Sequence, residues 1–125
     1  MLRRKEAMAT IAVRKLDAAR AFYEGKLGFE RGTSEEPGVI AYQSGSSTVL
    51  VYESAHAGTN QATAATWIVG SELESIVREL KGKGVVFEHY DLPDTTREGD
   101  IHASGKTRVA WLKDPDGNIL SLVNG

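Results

Sequence analysis

Thr63-Ala64-Ala65-Thr66-Trp67-Ile68-Val69, then a helical pattern from Ser71 to Lys81, then Gly82-Lys83-Gly84-Val85-Val86-Phe87-Glu88, decides the fold, because the chain runs through that order twice. Ile11-Ala12-Val13 closes an earlier apolar run, and Gly28-Phe29-Glu30 follows it at the same remove. Val69 lies 56 positions after Val13, and Gly84 lies 56 after Gly28. Self-similarity at a fixed period marks a duplicated unit. The unit reads as one strand, one helix and three strands, over about 7–53 and again over about 63–123. Residues 54–62, small and polar, connect the copies, and the whole of 1–125 is expected to form one domain.

Local chemistry fills in the unit. Met8 to Val13 reads as a strand. Asp17 is placed to cap a helix whose stripe is Ala19, Phe22 and Tyr23, with Gly28 ending it through a left-handed turn. Phe29–Arg31, Val39–Gln43 and Ser47–Glu53 alternate as strands, and Ser44-Gly45-Ser46 turns the last two. In the second copy, Ser71 and Glu74 have capping-box spacing. Leu73, Ile76, Val77 and Leu80 fall on one helical face. Val85–Tyr90, Thr107–Lys113 and Asn118–Val123 supply strands, and Asp114-Pro115-Asp116-Gly117 is a strong turn. Asp91 to Lys106 has no counterpart in the first copy. Polar, without periodicity and holding His102, it reads as a long loop able to act as a lid.

Composition removes several functions. With 125 residues the chain has a modest core. A net charge of −2 gives no electrostatic basis for binding nucleic acid, and Arg3-Arg4-Lys5 reads as a solvated tail. The absence of cysteine excludes disulfides, thiol nucleophiles and thiolate metal sites. No apolar run approaches the roughly eighteen residues of a membrane helix, and no secretory signal is evident, so a cytoplasmic location is expected. Gly82-Lys83-Gly84 ends a helix and does not open one, so it is no phosphate cradle. No nucleophile-elbow serine is present. Glu35-Glu36 reads as a solvated loop pair, and Glu53 is expected to turn away from the inner face.

Ala12-Val13, Leu16-Asp17-Ala18-Ala19-Arg20-Ala21-Phe22-Tyr23 and Leu27-Gly28-Phe29, together with Ala110-Trp111-Leu112-Lys113-Asp114-Pro115-Asp116-Gly117-Asn118-Ile119-Leu120, resemble the opening and closing motifs of the vicinal oxygen chelate superfamily. That superfamily includes glyoxalase I, extradiol dioxygenases and the fosfomycin and bleomycin resistance proteins. With the repeat, the likeness spans nearly the whole chain. It implies an α+β fold of two tandem βαβββ modules, a curved, mostly antiparallel cup holding a ligand, and a homodimer. It also implies a divalent metal held by His, Glu or Gln on the first and fourth strands of each module. The matching positions here are Met8, Leu50 (or its neighbours Val49 and Val51), Ala64 and Ser121, none of which is a useful ligand. No metal and no other cofactor is therefore expected.

Strand alternation from those positions predicts a cup lined by Met8, Thr10 and Ala12, by Thr48, Leu50 and Tyr52, by Ala64, Thr66 and Ile68, and by Ala110, Leu112, Ile119 and Ser121. Ile11, Val49, Val51, Trp67, Trp111, Leu120 and Leu122 would then form core. The expected ligand site comprises Met8, Thr10, Leu50, Tyr52, Ala64, Thr66, Ala110 and Ser121, with His102 closing over it. Such a lining suits an uncharged or aromatic small molecule. His56 is expected to be solvated in the linker, and His89 to be a partly exposed histidine at a sheet edge. Two other readings stay open at this point. One is an enzyme, either a lyase or dioxygenase with a displaced metal or a metal-free catalyst using His102, Tyr52 or Tyr90 as acid or base. The other is an interaction protein whose cup fills with its own side chains.

Overall fold

The computed structural model describes the backbone of residues 1–125 and every side chain except those of residues 33–35. Module one runs β1 (Ala9–Val13), α1 (Leu16–Tyr23), β2 (Glu30–Glu36), β3 (Val39–Ser44) and β4 (Ser47–Glu53). Module two runs β5 (Thr63–Ile68), α2 (Leu73–Gly82), β6 (Phe87–Glu88), β7 (Thr96–Glu98), β8 (Ile101–Ser104), β9 (Thr107–Lys113) and β10 (Ile119–Val123). The first sheet has the order β1-β4-β3-β2 and the second β5-β10-β9-β8-β7, with β6 also pairing β9. Each sheet is mixed: β1 pairs β4 in parallel and β5 pairs β10 in parallel, the remaining pairs being antiparallel. The duplicated unit is thus present in both halves, with an extra hairpin in the second.

Alternation explains which face of each strand is dry. Ile11 and Val13 of β1, Val49 and Val51 of β4, and Ile40 and Tyr42 of β3 pack beneath Ala19, Phe22 and Tyr23 of α1. Leu73, Val77 and Leu80 of α2 cover Ala110, Leu112, Leu120 and Leu122. All belong to one continuous core, because the modules meet through the sides that carry their helices. Phe29 lies 5.7 Å from Trp67 between ring centres, and the Lys83 ammonium donates to the Lys26 carbonyl at 3.4 Å. The opposite faces of both sheets point away from that core.

Several local expectations are corrected. Helix α1 starts at Leu16, so Asp17 lies inside its first turn and pairs with Arg20 at 3.6 Å; the N-cap Lys15 makes no side-chain capping bond, and the first-turn Leu16 N–H donates instead to Glu53 Oε1 of β4 at 3.3 Å. It ends at Tyr23, and Gly28 (φ +76°) closes the irregular turn that follows. Ser71 lies in a short 3₁₀ turn, Gly70–Glu72, and makes no capping bond, so the box is not formed. Strand β2 extends to Glu36, so Glu35 and Glu36 belong to a strand; the Glu35 side chain lies outside the described residues. The linker is more than a solvated connection: Ala57 is fully buried and accepts from the Arg14 guanidinium at 3.2 Å.

The segment 91–106 is corrected most. Residues 96–104 form the hairpin β7–β8, with Arg97 opposite His102 and Glu98 opposite Ile101. Gly99-Asp100 is a two-residue loop of the kind that closes such hairpins, and Gly105-Lys106 closes β8 onto β9 by the same means. His102 is a strand residue and not part of a lid.

Candidate functional site

The outer, cup-side face of the first sheet carries Thr10 beside Leu50 and Ala12 beside Tyr52. Ala41 and Val39 continue those rows on β3. In the second sheet Thr66 neighbours Ser121, and their hydroxyls hydrogen-bond at 2.6 Å. Much of the face is open in the single chain, with Met8 52%, Tyr52 37% and Ile68 77% exposed, whereas Ser121 and Ile119 are buried. Met8 precedes β1, and Ala64 sits at the extra position of a bulge, where β5 advances from Thr63 to Ala65 while β10 advances from Ile119 to Leu120.

Ala110 does not belong to this face. The turn after β9 pairs Lys113 with Ile119, so Trp111 stands opposite Ser121, Leu112 opposite Leu120 and Ala110 opposite Leu122. Paired residues share a face. Ala110 and Leu112 therefore enter the core under α2, and Trp111 replaces them on the cup side. The turn geometry sets this parity, and counting from the ligand-equivalent positions put β9 one residue out of phase. Trp67, Leu120 and Leu122 pack where alternation places them.

Trp111 organises the part of the cup face that sequence reasoning missed. Its ring meets His102 edge-on at 4.8 Å and Tyr90 at 5.2 Å. His102, 1% exposed, accepts the Tyr90 backbone N–H on Nε2 at 3.0 Å. A neutral imidazole with Nε2 accepting carries its proton on Nδ1. That Nδ1–H is buried without a partner among the described residues, and so is the Tyr90 hydroxyl. Burial, and then the charge of Glu88, push the Tyr90 phenol up, so it stays a protonated donor. Two buried donors beside an aromatic edge are the groups that a bound oxygen acceptor or an ordered water satisfies.

Beyond this cluster, His89 is fixed by its neighbours. Arg97 donates to Nδ1, so Nε2 carries the proton and donates to Asp100 at 2.7 Å. Asp100 also binds the Lys81 ammonium of α2 at 2.7 Å. The hydrogen bonds from Lys81, then from His89, hold its carboxyl below the ordinary value of 3.8. A depressed carboxyl stabilises the fold above its ordinary pKa and loses that contribution as pH falls through its folded one. Asp100→Asn is therefore expected to lower stability near neutrality. The gap from the parent should shrink as urea melts are taken down from about pH 5 to about pH 2; a gap that stays constant with pH would contradict this pairing.

At the familial metal positions, Met8, Leu50 and Ala64 offer no hard or imidazole donor, and the Ser121 hydroxyl is engaged by Thr66. Among the described residues no three His, Asp or Glu side chains converge as a metal site. The residues do not fit a divalent cation at this position.

The profile of the Glyoxalase/Bleomycin resistance protein/Dioxygenase superfamily matches residues 7–122, and the chain belongs to that family. Among solved structures, a bleomycin resistance determinant encoded on the transposon Tn5 is similar at 23% identity and TM-score 0.69, covering 97% of this chain and 98% of that one. The genomically encoded fosfomycin resistance protein FosX from Listeria monocytogenes is similar at 16% identity and TM-score 0.68, covering 100% and 93%. A glyoxalase/bleomycin resistance protein/dioxygenase from Alicyclobacillus acidocaldarius is similar at 20% identity and TM-score 0.70, covering 96% and 90%. At these identities the likeness establishes the fold. No curated protein sequence matches the chain. Among the described residues, no helix is long and apolar enough to cross a membrane.

Proposed function

We propose that this chain is a small-molecule-binding protein of the glyoxalase/bleomycin-resistance type that works without a metal. In this reading it holds an uncharged or aromatic ligand against the cup faces of a homodimer. The observation that carries the proposal is the make-up of that face. The four positions where catalytic relatives place metal ligands carry Met8, Leu50, Ala64 and Ser121, while Thr10, Tyr52, Thr66 and the Trp111–His102–Tyr90 cluster supply area and a few hydrogen-bonding groups. Engagement of His102 Nε2 by backbone, and a Tyr90 that stays protonated, favour holding a ligand over acid–base turnover. We place the protein in the cytoplasm, for which the absence of cysteine is the supporting feature.

The packing supports the dimer in this reading. The modules use their helix-bearing sides on each other, so each cup face needs a second copy to enclose a ligand. Ile68, 77% exposed in one chain, would then be covered. Sedimentation should show a dimer, and Ile68→Asp should run as a folded monomer. A monomeric parent, or a dimeric Ile68→Asp protein, contradicts the arrangement.

Ligand binding is tested by a thermal-shift screen of aromatic and neutral metabolites and drugs in the presence of a chelator. Compounds selective for the folded state raise the melting temperature by mass action. At least one saturable binder is expected, with affinity weakened roughly tenfold by Trp111→Ala. Binding that requires an added divalent cation would overturn the metal-free reading.

A further inference from the structure

The helix-bearing sides of the two modules do not close fully on each other. Between them lies a cavity of about 260 Å³. Leu112, Leu120 and Leu122 form its floor, and Phe29, Trp67 and Ile76 its walls. These are residues that would otherwise interlock as core. The Trp67 indole N–H is already satisfied, donating to the Ser44 hydroxyl at 2.9 Å, so its ring needs no polar partner from an occupant. The cavity lies on the opposite side of the second sheet from the cup: Leu112 and Leu120 face it, while their neighbours Trp111 and Ser121 face the cup.

The mouth is polar and carries one excess positive charge. Lys26, Glu79 and Lys83 stand around it. Lys83 lies 3.9 Å from Glu79 and donates to the Lys26 carbonyl, so those two charges answer each other. Lys26 makes no ion pair among the described residues. An apolar chamber with a lone ammonium at its rim is complementary to a molecule with an apolar body and one anionic end. Its volume falls just below the roughly 300–1,000 Å³ of drug-sized pockets, which favours a slender occupant.

We infer that this inter-module cavity binds a monoanionic amphiphile, a medium-chain carboxylate, with its hydrocarbon against Phe29, Trp67 and the three leucines and its carboxylate at Lys26. The site is independent of the cup and of its ligand. It gives the chain two binding surfaces on opposite sides of one sheet.

The two tryptophans separate the sites, since Trp67 reports the cavity and Trp111 the cup. In Trp111→Phe protein, titration with decanoate should give a saturable change in the remaining indole emission. Lys26→Gln should weaken it about fivefold, the scale of a partly exposed ion pair. Decanol, equal in length but neutral, should bind more weakly to a similar degree. Ile76→Phe, which fills the cavity from α2, should abolish the response while retaining the fold by circular dichroism. If Trp111→Phe fails to fold, the same comparison is made on the otherwise unaltered protein as a decanoate-dependent rise in melting temperature that Ile76→Phe removes. A non-saturable response, equal binding of decanol and decanoate, or indifference to Lys26→Gln and Ile76→Phe would each overturn the inference. Failure of the cup reading would show separately, as the absence of any ligand that perturbs Trp111.

Discussion

Asp114→Ala is expected to lower the unfolding free energy by about 4 kcal/mol, because four donors lose one buried acceptor together. Asp114 Oδ1 accepts from the backbone N–H groups of Asp116 and Asn118, both at 2.9 Å. Oδ2 accepts from the Tyr23 hydroxyl at 2.7 Å and from the Asn118 side-chain amide at 2.8 Å. The same Asn118 amide donates to the Ala12 carbonyl of β1 at 2.7 Å. The carboxylate thus ties the β9–β10 turn of module two to the helix and first strand of module one. Burial, then the Asp114 charge, push the Tyr23 phenol far up, so it remains a donor. Tyr23→Phe removes one bond and should cost about 1.5 kcal/mol; Asp114→Asn keeps one acceptor and should fall between. Urea unfolding measures all three. Against a total of roughly 5–15 kcal/mol for a domain of ordinary stability, the alanine variant should be marginal. A loss below that of Tyr23→Phe would remove the hub from this account.

The second large effect is expected at Gly58. A Cβ built there lies 1.8 Å from the Asp116 carbonyl oxygen, and its φ is +71°. Backbone cannot step aside as a flexible side chain can, so Gly58→Ala combines left-handed strain with displacement of the turn, together about 3 kcal/mol or more. Gly28 is the control: its φ is +76° but nothing lies within 4 Å of an added Cβ. Gly28→Ala should therefore show the strain alone, about 1–2 kcal/mol. Equal losses at the two positions would mean that the close approach at Gly58 is relieved freely. Both large effects fall where the linker, β1 and the β9–β10 turn meet.

What the sequence discloses and conceals follows from the range of the physics involved. The repeat is legible because its markers are local: apolar runs ending at Val13 and Val69, and glycines at 28 and 84. The α2 stripe is legible for the same reason. The Asp114 turn is readable as a turn, but its role as a hub depends on Tyr23, 91 residues away. The caps expected at Asp17 and Ser71 do not form: the first-turn Leu16 N–H is taken by Glu53, distant in sequence, and Ser71 falls in the 3₁₀ turn that precedes α2. The hairpin β7–β8 escaped because its strands are short and polar, although Gly99-Asp100 and Gly105-Lys106 were usable signals. The exchange of Ala110 for Trp111 on the cup side needed the exact closure of one turn. The ring cluster of Tyr90, His102 and Trp111 comes from three segments and exists only once the second sheet is assembled.

In the proposed reading this family scaffold holds its ligand without a cation, the ligand-equivalent positions being Met8, Leu50, Ala64 and Ser121. The most direct test is elemental analysis of protein purified natively without chelator, with each metal counted per chain. Zinc, iron, manganese, nickel and cobalt should all be far below one ion per chain, and dialysis against a chelator should leave ligand binding unchanged. One tightly held ion per chain, whose removal abolishes binding or turnover, would contradict it.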